Sequence, residues 1–356
     1  MTPDQKFMER ALELAAKANP SPNPKVGCVI VKNNKIIAEA FHQKAGEDHA
    51  EIAAIKNAKE PIEGSSFYIS LEPCFTEGKT PPCVDRLIKE KVKEVFIATK
   101  DPNPATHGKS IKKLEQAGIK TETGILEKQA KELNKHFFKV MQTGLPYIYI
   151  KTASTLDGKI ATTEYHSKWI TSDKARYHMH GLRAEVDAIL VGTNTILQDN
   201  PYLSARREKT TFPTRILIDR KEKLKYDLNV FNQPGDVVII TTKKDYQRQN
   251  SKVKVIVCRE KDNLVDLKDA FFQLAKVGIN SVMVEGGALV FANLIKEHII
   301  DEFHFYISPK LLGEGITFYE DEIKRKIDQA LKLKFTETIM VGDDVLIKGR
   351  YADAQK

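Results

Sequence analysis

Residues 4–18 read as an amphipathic helix, with Phe7, Met8, Ala11, Leu12, Leu14, Ala15 and Ala18 near helical spacing. The Pro-rich run from Asn19 to Pro24 ends that helix. Strands are predicted at Val26–Val31 and Ile36–Ala40, with Asn33-Asn34 as the hairpin turn between them. A helix near 50–58, a strand at 66–70, a helix near 82–90, a strand at 95–98 and a helix near 109–117 follow. One long helical stretch is predicted over 127–142. Strands alternating with helices predict an α/β sandwich around one sheet. Gly144-Leu145-Pro146 breaks the pattern, so the expected domains are residues 1–145 and 146–356. Beyond it, strands are predicted at Tyr147–Ala153, Asp187–Val191, 214–218, 237–241, 253–257, 281–285, 302–307 and 345–350. Helices are predicted at 172–185 and near 266–277 and 288–297, which makes a second α/β domain with its own sheet.

Composition narrows the class. A chain of 356 residues fits two domains of about 100–200 residues each. With 41% hydrophobic and 29% charged residues it reads as globular, neither fibrous nor disordered. No apolar run reaches the roughly 18 residues that would span a bilayer. The first ten residues carry Asp4 and Glu9 and lack an apolar core, so a cytoplasmic location is expected. The net charge of +8 divides evenly, +4 in residues 1–145 and +4 in residues 146–356, with no polybasic tail. That pattern favours small anionic substrates over nucleic acid.

Four cysteines are too few for a disulfide scaffold of this length. Only Cys74 and Cys83 are close in sequence, and they follow His49-Ala50-Glu51. One imidazole and two thiolates make a three-ligand zinc site whose fourth position takes water. The zinc acidifies that water, and a nearby non-ligand carboxylate, Glu51, would move the protons. His followed two residues later by Glu, then Pro-Cys and a second Cys, is the zinc deaminase signature. Here eight residues separate the cysteines instead of two. A four-ligand structural zinc with Cys28 as the extra donor is the alternative. Residues two apart on an ideal helix point about 200° from each other, so His49 and Glu51 converge only if the first turn faces the pocket.

The motifs together resemble the cytidine-deaminase-like superfamily and, within it, the deaminase half of the bifunctional riboflavin biosynthesis proteins. They are Pro22-Asn23-Pro24-x-Val26-Gly27, His42, His49-Ala50-Glu51, Glu72-Pro73-Cys74, the loop Gly78 to Cys83, and Asp101-Pro102-Asn103-Pro104. The resemblance covers about residues 1–145. It implies hydrolytic deamination of a diaminohydroxy-phosphoribosylamino-pyrimidine, with His49, Cys74 and Cys83 on zinc and Glu51 as proton shuttle. It also implies that Asn23, His42, Lys79 and Asn103 line the substrate pocket, Lys79 suiting a phosphate.

In the second half, Lys151 to Ala161 runs from a strand end into a Gly-containing turn, a common ligand position in open α/β sheets. Further candidates are Ser167 to Thr171 with the lone tryptophan Trp169, a helix carrying Arg183, Thr195, Asp199, and Glu285-Gly286-Gly287 before a helix. No Gly-x-Gly-x-x-Gly fingerprint follows an early strand, so a Rossmann domain is not expected. As a set these residues resemble the reductase half of the same family, a dihydrofolate-reductase-like α/β domain covering about residues 146–350. The resemblance implies NADPH reduction of a ribosyl group to ribityl. The substrate would be held by Ser167, Arg183, Leu203, Arg206 and Glu285. The cofactor would be held by Ala153, Trp169, Thr195 and Asp199, and by the run Gly287, Ala288, Leu289, Val290, Phe291, Ala292 and Asn293. Lys151 is the candidate catalytic group, and Arg220 the candidate for the cofactor's 2′-phosphate. The expected partners are small phosphorylated pyrimidines and a second copy of the chain, most simply as a dimer, with no nucleic acid and no membrane. An RNA or nucleoside deaminase with a binding tail, and a zinc-stabilised binding module, are the rival readings.

Overall fold

The computed structural model describes residues 1–76, 81–247, 252–320, 323 and 325–352. The chain forms two compact units, Met1–Gly144 and Leu145–Lys356.

In the first unit, helix α1 (Pro3–Ala15) begins with a reciprocal cap. The Thr2 hydroxyl accepts from the Gln5 N–H, and the Gln5 side chain accepts from the Thr2 N–H. Strands β1 (Gly27–Lys32) and β2 (Lys35–Phe41) form the expected hairpin. Its turn places Asn33 and Asn34 at φ of 49° and 61°, the left-handed region that asparagine tolerates. Then come α2 (Ala50–Asn57), β3 (Ser66–Ile69), α3 (Cys83–Lys89), β4 (Glu94–Ile97), α4 (Lys109–Gln116), β5 (Lys120–Thr123), α5 (Glu127–Leu133) and α6 (Lys135–Thr143). The sheet runs β2-β1-β3-β4-β5.

Alternate residues of each strand build two cores. Cys28, Ile30, Phe67 and Ile69 pack with Ala54 of α2 and Leu87 of α3. Val29, Val31, Tyr68 and Phe96 pack with Met8 and Leu12 of α1. The result is an α/β/α sandwich. Cys28 is fully buried in the first core and is a packing residue. The helix expected over 127–142 is interrupted at Asn134, whose amide bonds both the N–H and the C=O of Lys25 at 2.8 and 2.9 Å. That anchor needs a non-helical backbone, here φ −110° and ψ 20°.

The second unit contains β6 (Tyr147–Thr155), β7 (Lys159–Ala161), α7 (Asp173–Glu185), β8 (Ala188–Gly192), α8 (Thr193–Asp199), β9 (Thr214–Ile218), β10 (Val237–Thr241) and β11 (Val253–Val257). It continues with β12 (Glu260–Lys261), β13 (Leu264–Val265), α9 (Leu267–Lys276), β14 (Ser281–Val284), α10 (Ala288–Lys296), β15 (Glu302–Ser308), β16 (Ile316–Thr317), β17 (Leu333–Val341) and β18 (Asp344–Tyr351). Nine strands make one sheet in the order β11-β10-β9-β8-β14-β6-β15-β18-β17. Pairing is parallel from β11 to β15 and antiparallel beyond it. Ile148, Ile150, Leu190 and Val284 face Phe271 of α9 and Leu294 of α10. Tyr149, Ile189, Val191 and Leu217 belong to the core on the other face.

Strand β14 returns to lie between β8 and β6, so the order of strands reverses there. Ligands in open α/β sheets bind beyond the carboxyl ends of the strands at such a point. Among the described residues, no helix is long and apolar enough to cross a membrane.

Candidate functional site

The first site sits where two helices begin. His49 is the N-cap of α2, with an extended backbone at φ −67° and ψ 159°. It therefore stands outside the helical screw, and its imidazole converges with Glu51 without the opposed directions of an ideal helix. Cys83 opens α3, and its N–H donates to Cys74 Sγ at 3.1 Å. His49 Nδ1 lies 3.3 Å from Cys83 Sγ. The donor atoms of His49, Cys74 and Cys83 all lie within 4.8 Å of one another.

Electrostatics of the sulfur pair fit a cation. The Cys83 thiol and His49 hold the Cys74 thiol at about 4, against the pull of burial. Cys83 is pushed well up by its bond to Cys74 and by burial. One sulfur ionises readily; a second negative charge beside it, out of water, needs a metal ion to balance it. Softness and count of the donors suit zinc. Cys28 is not part of the cluster.

Glu51 is 3% exposed, and no cationic side chain pairs with it among the described residues. Burial and the nearby Cys74 push its carboxyl up to about 7. His42 Nδ1 lies 2.9 Å from the Asp48 carbonyl, and its Nε2 lies 2.9 Å from Asn23 Nδ2. A carbonyl can only accept, so His42 carries its proton on Nδ1 and Nε2 accepts from Asn23. That sets the amide of Asn23, leaving its carbonyl oxygen to meet a donor.

Asn103 lies on the loop after β4. Its side-chain oxygen accepts from the Ala105 N–H at 3.0 Å. Glu72, one residue before Pro73-Cys74, accepts from the N–H groups of Asp101 and Gly108 at 3.1 and 2.9 Å, tying that loop to the cysteine turn. Sequence reasoning overlooked this use of Glu72. Lys79 lies outside the described residues.

The second site is a cavity of about 1140 Å³ in Leu145–Lys356, at the strand reversal. Its wall includes the expected Lys151, Ala153, Ser167, Trp169, Arg183 and Thr195. It also includes Asp199, Leu203, Arg206, Arg220 and Glu285, and the run Gly287 to Phe291. Ala292 and Asn293 are not among the residues that line it. Only the first turn of α10 faces the cavity, and later residues rotate away.

Arg183 and Glu285 are both nearly buried. Arg183 donates through Nε to Oε1 at 2.5 Å and through Nη2 to Oε2 at 2.7 Å. Its Nη1 donates to the Ser204 carbonyl at 2.9 Å. Lys151 Nζ lies 3.9 Å from Glu285 Oε2. Burial raises the Glu285 carboxyl, but Arg183 and then Lys151 outweigh it and hold it at about 2. Burial pushes Lys151 down from the usual lysine range. Arg206 has no ion-pair partner among the described residues and is pushed down by burial and by Arg183. One carboxylate thus faces three cationic side chains, a site with surplus positive charge.

Ser167 Oγ donates to Asp199 Oδ1 at 3.4 Å, joining a candidate substrate residue to a candidate cofactor residue. Trp169 is 62% exposed, with the Arg176 guanidinium 4.3 Å from its ring centre. Thr195 Oγ1 lies over Gly286 and Gly287, 3.3 and 3.4 Å from where their Cβ atoms would be. Arg220 donates to Asn263 at 3.1 Å and faces Glu260 at 3.8 Å. Sequence reading missed Arg176 and His180, both in the cavity wall. The spacing of His180 three residues before Arg183 on one helix was the available signal.

Residues 1–99 match the cytidine and deoxycytidylate deaminase zinc-binding region, and residues 146–347 match the RibD C-terminal domain. The chain is 39% identical to riboflavin biosynthesis protein RibD of Actinobacillus pleuropneumoniae, over 97% of this chain and 94% of that one. It is 38% identical to RibD of Escherichia coli strain K12, over 97% of this chain and 98% of that one. Among solved structures it is similar to a diaminohydroxyphosphoribosylaminopyrimidine deaminase/5-amino-6-(5-phosphoribosylamino)uracil reductase from Thermotoga maritima. The TM-score is 0.88 at 35% identity, covering 98% of this chain and 99% of that one. Acinetobacter baumannii RibD gives a TM-score of 0.89 at 35% identity, covering 99% of both chains. The first unit thus has the cytidine-deaminase-like fold with a zinc-binding region, and the second the dihydrofolate-reductase-like fold of an NADPH-dependent reductase. This chain belongs to the RibD family, the bifunctional deaminase and reductase of riboflavin biosynthesis.

Proposed function

We propose that residues 1–145 deaminate a phosphoribosylaminopyrimidine and that residues 146–356 reduce the ribosyl group of the deaminated product. The observation that carries the first assignment is the buried Glu51 carboxylate, unpaired with any described cation, beside the His49, Cys74 and Cys83 cluster. Those three residues would hold a zinc ion, which would supply a water acidified toward neutral pH. Glu51 takes that proton and returns one to the departing amine, so the amino group leaves as ammonia and the ring keeps the oxygen. Asn23, oriented by His42, accepts from a ring or amino N–H. Asn103 keeps its amide donors for a ring or ribose oxygen, and Lys79 meets the phosphate.

In the second unit, NADPH supplies the hydride. Reduction of the ring-opened imine also needs one proton, which we assign to Lys151; the 3.9 Å from its Nζ to Glu285 Oε2, at 14% side-chain exposure, supports the reading. Arg206 and the N–H groups that Arg183 has not committed hold the substrate phosphate. Ser167, Leu203 and Glu285 bound the ribosyl group. Ala153, Trp169, Thr195, Asp199 and the Gly287 to Phe291 turn cradle the cofactor, with Arg220 toward its 2′-phosphate.

The assembly proposed is a homodimer. The exposed Phe335 and Met340 on the edge strand β17 support a covered surface there, and light scattering gives the mass. The compartment proposed is the cytoplasm, whose reducing poise suits four free cysteines. Zinc removal by a chelator is expected to stop ammonia release while NADPH oxidation with the deaminated substrate continues. Ammonia release from demonstrably zinc-free protein would refute the first assignment.

A further inference from the structure

Trp169, the sole tryptophan of the chain, lines the reductase cavity. The Arg176 guanidinium lies over its ring, 4.3 Å from the ring centre. The side chain is nevertheless 62% exposed, so the indole stays accessible with that cation against it.

Arg176 stands in the first turn of α7 and lines the cavity as well. Its donors are already committed. Nη1 donates to the Thr171 carbonyl at 2.6 Å, and Nη2 pairs with Asp173. The guanidinium is therefore held at its edge by Thr171 and Asp173, and its charge rests on the indole. An ion-paired arginine in this state is a poor phosphate ligand but a firm support for an aromatic ring.

The backbone of the same segment is anchored by other groups. Lys310 Nζ donates to the Trp169 carbonyl at 2.8 Å. The Asp344 carboxylate accepts from the Ser172 N–H and hydroxyl at 2.8 and 2.5 Å. These bonds fix where the segment runs, but an indole still turns about its own side-chain bonds. The contact with Arg176 acts on the ring itself, and a ring that swings away gives up the cation–π attraction.

We propose that Arg176 is a positioning residue of the reductase, whose guanidinium holds the Trp169 indole in the cavity wall for the cofactor. This rests on the reading of Trp169 as a cofactor-binding residue.

Two substitutions separate this role from a structural one. Arg176→Met keeps the long apolar stem and removes the charge, and Arg176→Lys keeps a cation within reach of the ring. Arg176→Met is expected to raise the KM for NADPH about three- to thirtyfold, with kcat and the KM for 5-amino-6-(5-phosphoribosylamino)uracil little changed. Arg176→Lys is expected to keep the KM for NADPH within about threefold of the starting protein. In a Trp169→Ala background, Arg176→Met should change that KM by less than about twofold, because the ring it acts through is gone. Fluorescence of the sole tryptophan reads the contact directly, and acrylamide should quench it up to about twofold more strongly in Arg176→Met as the covered face opens.

A normal KM for NADPH in Arg176→Met would overturn the proposal. So would an equal rise in the Lys and Met variants, or a matching rise in the KM for the pyrimidine, which would show a displaced α7. A full Arg176→Met penalty in the Trp169→Ala background would also overturn it. The Trp169→Ala protein distinguishes the two levels. A raised KM for NADPH there with a normal one in Arg176→Met overturns the Arg176 role alone. An unchanged KM in Trp169→Ala overturns the cofactor reading of Trp169 and the proposal together.

Discussion

The guanidinium of Arg183 grips the carboxylate of Glu285 with two nitrogens, at 2.5 and 2.7 Å, in a part of the reductase unit almost closed to water. Removing Arg183 leaves Glu285 with Lys151 at 3.9 Å as its remaining ion pair, so the cost falls below the roughly 3–5 kcal/mol of a fully uncompensated buried charge. Arg183→Ala is therefore expected to lower the stability of residues 146–356 and to cut reductase kcat/KM at least about tenfold. Deaminase activity should persist. Separate assays of ammonia release and NADPH oxidation check this, and unchanged reductase kinetics would contradict both the pairing and the phosphate role.

The same pair sets a pH dependence. Glu285 is held at about 2 in the folded chain, below the carboxylate value of 4.5. A depressed folded pKa gives stability that is complete above about pH 4.5 and is lost as pH falls toward 2. The linked contribution is about 3 kcal/mol. Thermal midpoints of the protein and of Glu285→Gln should differ most near pH 6–7 and draw together below pH 4.5. A gap that stays constant down to pH 3 would contradict the assignment.

In the deaminase unit, Gly27 lies against α1. A Cβ at that position would fall 2.0 Å from the Ala11 carbonyl oxygen and 2.9 Å from the Ala15 nitrogen. Both contacts are backbone, so the helix must shift. Gly27→Ala is expected to destabilise this unit by about 1–3 kcal/mol or more, as overpacking does. Urea denaturation followed by helical circular dichroism measures it, and an unaltered midpoint would mean that α1 does not rest on β1.

The elements that were legible beforehand are those whose burial follows a simple period. Helix α1 and the Asn33-Asn34 hairpin lie close to the spans that the sequence predicts. Strand β5 was missed because its residues are mostly exposed edge positions that leave no apolar signature, and β17 because an irregularity between Phe335 and Glu337 interrupts its alternation. The break at Asn134 depends on a partner 109 residues away, which no local pattern reveals. The metal cluster could be found because its chemistry requires particular residue types near one another. The reductase wall could not be found by spacing, since it gathers side chains from β6, α7, β8, α8, α10 and the loops between them. What sequence could not show was which groups already have partners: Arg183 turned out to be largely committed to Glu285, and Arg206 to lack an ion pair among the described residues.

Two reactions in sequence, each confined to its own unit, are tested most directly by Glu51→Gln. The variant is given the diamino-pyrimidine substrate with NADPH, and zinc content, ammonia and NADPH are measured together. The expected protein keeps zinc, because His49, Cys74 and Cys83 are untouched, and releases ammonia at least about a hundredfold more slowly. It oxidises almost no NADPH until the deaminated pyrimidine is supplied, and then does so at the starting protein's rate. Normal ammonia release would contradict the role of Glu51, and NADPH oxidation with the undeaminated substrate would contradict the order of the two steps.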